Sequence, residues 1–265
     1  MTFLGRQFSA KQTAKLVSVL GLASGPLFVA VLRKGPLTAF EFASRSLEVF
    51  KELATPDPLP ATTLENLGAG NDHSKQIWID LEKPSPSMPP GELALLCSLI
   101  KWKDPKTVVE IGTYRGFTTL HFSRNTADAC RIFTVDLPPE AAGKRASQSS
   151  DPHMIKESAR SERVFGDDRK ITQILQDSTS MDWARIVDGP VDFALVDGSH
   201  LYEHVRKDTE SVMKVLAPRG MVVWHDYARV EIRRGVGRYL AELQKSGLPV
   251  YRFEGTTIAV HVRGH

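Results

Sequence analysis

The sequence predicts an α/β fold: a doubly wound, mostly parallel sheet of seven strands with the last one reversed, preceded by a helical N-terminal region. Three observations predict it. From Gly91 onward, short β-branched runs alternate with helical segments, the pattern of a sheet with helices on both faces. The last two runs, Val250–Phe253 and Thr257–His261, are separated only by Glu254, Gly255 and Thr256, so they form an antiparallel hairpin that closes the sheet. A chain of 265 residues, 42% hydrophobic and 25% charged, is not a disordered one. At this size roughly 70–75% of the unfolded surface can be buried.

The elements follow in order. Leu16–Leu32 is nearly uncharged, but it is shorter than the ~20 residues a spanning helix needs, and Pro26 interrupts it. Three readings stay open for it: a buried helical hairpin, a contact with a membrane surface, or a targeting signal, since no acid occurs before Glu41. Leu37–Leu53 carries apolar residues at helical spacing. The prolines of Thr55–Pro60 stop that helix, and Lys83–Gly91 reads as an extended linker. Residues 1–90 are thus expected to be a helical region with a proline-rich linker, and residues 91–265 the main domain. Strands are expected at Thr107–Ile111, Arg131–Asp136, Ile171–Leu175, Val191–Val196 and Met221–Trp224, ahead of the hairpin. Helices are expected at Phe117–Ser123 and Leu201–Leu216, with Pro218–Gly220 turning the chain into the fifth strand.

The most informative segment joins the first strand to its helix. Gly112 and Gly116 let the backbone turn sharply and approach a ligand, and the helix behind them offers free amide donors. The dinucleotide spacing Gly-x-Gly-x-x-Gly is absent; Glu110 stands two residues before Gly112, and Gly116 follows. A carboxylate there repels a pyrophosphate and attracts a cationic amino-acid head. Asp136 ends the second strand, where an acid can accept from both hydroxyls of a ribose. Asp177, after the third strand, is placed to meet a purine amino group. The glycine turn also reads as purely structural, and Asp136 and Asp177 are also candidate helix caps.

With these residues in order, the chain resembles the class I S-adenosylmethionine-dependent methyltransferases over roughly residues 90–262. Glu110–Gly116 matches the family's first motif and Asp136 its ribose-binding acid. The resemblance implies a Rossmann-like seven-stranded sheet with a reversed last strand. It implies that Glu110, Gly112, Thr113 and Gly116 contact the methionine portion, and that Asp177 and Ser178 lie by the adenine.

The fourth and fifth strands end in Asp197 and in the pair His225 and Asp226, with His200 three residues beyond Asp197. Carboxylates and imidazoles converging beside the donor are candidate ligands for a divalent ion. Carboxylate oxygens suit magnesium or calcium, and a histidine tilts the set toward manganese, iron or zinc. Here the chain resembles the metal-dependent small-molecule and sugar O-methyltransferases and the cephalosporin-hydroxylase-like group, on the runs 197–203 and 225–227. That resemblance implies Asp197, His225 and Asp226 as ligands to magnesium or manganese, Asp197 also flanking the donor, and His200 as general base. His225 departs from the pattern, since better-known members carry an acid there. The alternative stays open that Asp197 and Asp226 are caps and His225 a satisfied edge residue.

A net charge of +3 gives no argument for nucleic acid, and two cysteines cannot form a disulfide framework or a cysteine metal site. Arg229, Arg233, Arg234 and Arg238 form either a solvated helix face or a rim for an acidic acceptor. Lys144–Arg169 is a charged, serine-rich insertion that reads equally as a lid or as a surface helix. The expectation is a cytoplasmic, homo-oligomeric O-methyltransferase acting on a small hydroxylated acceptor, a sugar or a catechol-like diol. Its competitors are a nucleotide-dependent oxidoreductase and a non-catalytic binding or scaffold protein.

Overall fold

The structure, a computed structural model, describes residues 2–3, 6–7, 57–69, 76–80, 88–141, 153, 157–158, 162–227 and 233–264. The chain divides into two compact units, Met1–Asp57 and Pro58–His265. In the first, strands β1 (Thr2–Phe3) and β2 (Arg6–Gln7) pair antiparallel. Leu16–Leu32, for which three readings were open, and the helix expected at Leu37–Leu53 lie outside the described residues.

The second unit contains β3 (Ala61–Thr62), α1 (Pro90–Lys103), β4 (Thr107–Ile111), α2 (Phe117–Asn125), β5 (Arg131–Asp136) and β6 (Ile171–Leu175). It continues through β7 (Val191–Val196), α3 (Tyr202–Val215), β8 (Leu216–Trp224), α4 (Arg238–Lys245), β9 (Tyr251–Phe253) and β10 (Ala259–Val262). These strands form one sheet in the order β3-β9-β10-β8-β7-β4-β5-β6. The final strand, β10, runs antiparallel to both β8 and β9, and every other pair in this sheet is parallel. The reversed last strand is therefore present, but the sheet has eight strands rather than seven. The extra edge is β3, which pairs with β9 while Arg252 N donates to Pro60 O at 2.9 Å. Two residues carry no readable periodicity, so this strand was invisible to pattern reasoning. The compact unit that holds this sheet begins at Pro58.

Strands β4 to β7 have the expected bounds. β8 begins earlier than expected. Val191 pairs with Leu216, the register shifts, and Phe193 pairs with Met221, so Pro218–Gly220 lies within an irregular stretch of the ladder instead of forming a turn before it. All five residues of β4 are buried. Val108 packs with Leu96 of α1 and Phe122 of α2 on one face, while Val109 and Ile111 pack with Val205, Val212 and Leu240 on the other. Each such side chain contributes about 1.5–3 kcal/mol when fully buried. This two-sided core fixes the strand register and aligns the carboxyl ends of β4, β5, β7 and β8 at one edge, where α/β sheets bind ligands. No helix among the described residues is long and apolar enough to cross a membrane.

Candidate active site

The corner after β4 is built by glycine. Gly112 sits at φ +102°, and a Cβ there would lie 2.2 Å from the Asp197 carbonyl oxygen. Only a residue without a side chain lets the ends of β4 and β7 meet this closely. Gly112 N donates to Val135 O at 2.9 Å and Asp197 N to Ile111 O at 2.8 Å, which locks three strand ends together. Gly116, at φ +77°, turns the chain into α2. Asp136 Oδ2 accepts from Tyr114 N at 2.9 Å, pinning the turn to the end of β5.

Glu110 lies beneath this corner and is fully buried. Its Oε2 accepts from the hydroxyls of Thr119 and Thr134, the latter at 2.6 Å. Thr113 joins the same cluster through a 2.6 Å contact between its hydroxyl and that of Thr134. Oε1 is buried without a hydrogen-bond partner. Burial pushes Glu110 up to about 8, and the two threonine hydrogen bonds offset only part of that. The carboxyl supports the turn from beneath, with Oε1 left as its open position.

Asp136 is partly covered. Beyond Tyr114, its Oδ2 accepts from the Ser158 hydroxyl and lies 3.4 Å from Arg163 Nη2. The Phe165 ring lies against Gly116, so a Cβ at that glycine would come within 2.4 Å of it. Asp177 caps the 3₁₀ turn Ser178–Ser180, accepting from Thr179 N at 3.1 Å and from its hydroxyl at 2.8 Å. Ser178 is the first residue of that turn.

The four residues expected from the fourth and fifth strands do converge. His225 Nδ1 lies 3.1 Å from Asp197 Oδ1 and 3.3 Å from Asp226 Oδ2. His200 Nε2 lies 2.8 Å from Asp226 Oδ2. Asp226 has φ +61°, a left-handed conformation that aspartate tolerates better than most residues. Burial alone would raise the pKa of Asp226, yet hydrogen bonds from His200 and His225 hold it well below the usual carboxylate range. Burial would lower His225, but the charge of Asp197 and hydrogen bonds to Asp197, Asp226 and Glu92 push it up to about 12.

Glu92 is the participant that sequence reasoning missed. It stands in the first turn of α1 and its Oε2 lies 2.8 Å from His225 Nε2. This helix was not among the expected ones; Pro90 at its start and the apolar spacing of Leu93, Leu96, Cys97 and Ile100 are the signals that mark it, beside the Lys83–Gly91 stretch expected as linker. The contact itself spans 133 positions and has no local signal. Trp224 and Tyr227 are buried core residues. Arg238 lies over the Tyr202 ring at 4.7 Å and bonds Glu242 at 3.0 Å, as a helix-face residue does. Arg229, and the side chains of Arg233 and Arg234, lie outside the described residues.

The cluster fits a cation. Asp197, His225 and Asp226 each offer one ligand atom, all within 4.8 Å of one another. Ligand bonds of about 2.1 Å place neighbouring donors about 3 Å apart, close to the 3.1 and 3.3 Å separations at His225 Nδ1. With Nδ1 facing two carboxylates, either a proton or a metal ion belongs between them.

Residues 109–227 match a family model described as a methyltransferase domain. A curated relative, the uncharacterized protein y4gI of Sinorhizobium fredii, is 32% identical over 146 residues, which are 52% of this chain and 15% of that protein. Among solved structures, the S-adenosylhomocysteine-bound Podospora anserina methyltransferase PaMTH1 is 13% identical with a TM-score of 0.50, covering 98% of this chain and 99% of that one. The O-methyltransferase TomG of Streptomyces achromogenes, solved with S-adenosylmethionine, is 16% identical with a TM-score of 0.48, covering 83% and 96%. At these identities the structural likeness is one of fold.

Proposed function

We propose that this chain O-methylates a small hydroxylated acceptor, with S-adenosylmethionine as donor and His200 as base; the match of residues 109–227 to a methyltransferase-domain model and the likeness of fold to a methyltransferase support this reading. The observation that carries the reading is the meeting of the Gly112 corner with the Asp197, His200, His225 and Asp226 cluster at one sheet edge. The donor, when bound, supplies a methyl carbon activated by its sulfonium. Gly112 and Gly116 shape the corner that receives its methionine portion, and the unpartnered Oε1 of Glu110 is the acceptor on offer to its ammonium. Asp136 takes the ribose hydroxyls in exchange for Ser158 and Arg163.

His200 is well placed for proton transfer. It is only 18% exposed, and Asp226 holds its ring by one nitrogen. If Nε2 donates to Asp226, Nδ1 is the basic nitrogen. A divalent ion held by Asp197, His225 and Asp226 would lower the acceptor hydroxyl's pKa by Lewis acidity. Alignment of donor and acceptor can supply about 7–11 kcal/mol of the barrier reduction. A vicinal diol, as in a sugar or a catechol, is the acceptor that such a cluster suits. The test is His200→Ala, assayed by a labelled-methyl screen over sugars, catechols and glycolipids and by calorimetric titration with S-adenosylhomocysteine. Turnover should fall about 10²–10⁴-fold with affinity for S-adenosylhomocysteine nearly intact; undiminished turnover would remove His200 from catalysis.

A further inference from the structure

Glu92 is a buried carboxylate whose hydrogen bonds reach Thr257 and His225. Its Oε1 accepts from Thr257 N, and its Oε2 accepts from Thr257 Oγ1 at 3.2 Å and faces His225 Nε2 at 2.8 Å. These anchors come from α1 and from the loop before β10, two elements on opposite ends of the domain's chain. A deprotonated carboxylate only accepts, so His225 Nε2 must be the nitrogen that donates. The nitrogen remaining for Asp197 and Asp226 is therefore Nδ1.

We propose that Glu92 is a positioning residue that fixes the His225 ring and tautomer, making the pocket a nitrogen-plus-two-carboxylate site for a borderline transition ion such as manganese or cobalt in preference to magnesium. This rests on the reading of Asp197, His225 and Asp226 as ion ligands. A ligating imidazole whose other nitrogen donates to a carboxylate is held in orientation and made a stronger ligand. An imidazole donor also favours transition ions over magnesium, which takes oxygen ligands.

The test uses the full chain titrated separately with manganese, cobalt and magnesium chlorides, read by calorimetry and, for cobalt, by visible absorption. The unaltered protein should bind manganese and cobalt at least 10-fold more tightly than magnesium. Glu92→Gln keeps the shape but cannot accept from both Thr257 N and His225. It should weaken cobalt binding about 10–100-fold and change the cobalt spectrum, while affinity for S-adenosylhomocysteine stays the same. The double variant Glu92→Gln, His225→Glu returns an acid to the pocket and should shift the preference toward magnesium. Equal cobalt affinity and spectrum in the Glu92→Gln protein, or a double variant that keeps the preference for manganese, would overturn the assignment of Glu92 alone. Failure of the unaltered protein to bind any of the three ions would overturn the ion reading together with it.

Discussion

Replacing Gly235 by alanine tests how His200 is held. Gly235 is buried in the π-helical turn Arg233–Gly237, and a Cβ built on it falls 1.7 Å from the His200 carbonyl oxygen and 3.2 Å from Tyr202 N. Carbon–oxygen contacts settle at about 3.3 Å or more, so one backbone has to retreat by about 1.5 Å. The obstacle is main chain on both sides, and no flexible side chain can swing aside. His200 Nε2 lies 2.8 Å from Asp226 Oδ2. A retreat of that size takes it beyond hydrogen-bonding range. Misplacing a reacting group by about 1 Å can lower turnover about 100-fold, and overpacking costs about 1–3 kcal/mol of stability. Steady-state kinetics with any acceptor found, paired with calorimetric titration by S-adenosylhomocysteine and a thermal melt, separates the effects. The expected result is turnover down by about two orders of magnitude, unchanged affinity for the donor product, and a melting point lower by several degrees. A folded Gly235→Ala protein with turnover within a few-fold of the original would refute the claim that this contact positions His200 for the proposed reaction.

Three further outcomes follow from the geometry. Gly112→Ala would force a left-handed φ on alanine and drive its Cβ into the Asp197 carbonyl; a loss of about 3 kcal/mol, or roughly 6–12 °C in melting temperature, is expected together with weakened S-adenosylhomocysteine binding. Asp208 is buried on α3 without a hydrogen bond of ordinary geometry, and burial raises it from 3.8 to about 7. Its unfolded carboxyl loses the proton first, so stability falls as pH rises from about 4 to about 7. Asp208→Asn should therefore gain about 2–4 kcal/mol at pH 8 and little at pH 4, measured as melting curves at both; an equal effect at the two pH values would contradict the assignment. Removing divalent ions with a chelator should abolish most turnover, manganese should restore it, and activity that survives exhaustive chelation would exclude an ion from the reaction.

Much of this fold is written in local sequence. β4 to β7 could be bounded correctly because β-branched runs end abruptly at turn residues such as Gly112, Asp136 and Asp197, and the closing hairpin because only three residues separate its runs. What escaped depends on distant partners. Ala61 and Thr62 become a strand only because β9 lies beside them, and Pro218–Gly220 stays within the ladder because Val191 pairs with Leu216. The same division runs through the site. The strand-end acids and histidines announce themselves by position, whereas Thr119 and Thr134 around Glu110, Ser158 and Arg163 on Asp136, and above all Glu92 on His225 are decided by packing between elements far apart in the chain.

The hydrogen bonds from Thr257 to Glu92 join positions 165 residues apart, and Glu92 in turn touches His225. During synthesis on a ribosome, therefore, the imidazole cannot be seated until the closing hairpin has emerged and folded back onto the domain's opening helix. A chain released early could carry a complete glycine corner and still lack the finished contact of Glu92 with His225.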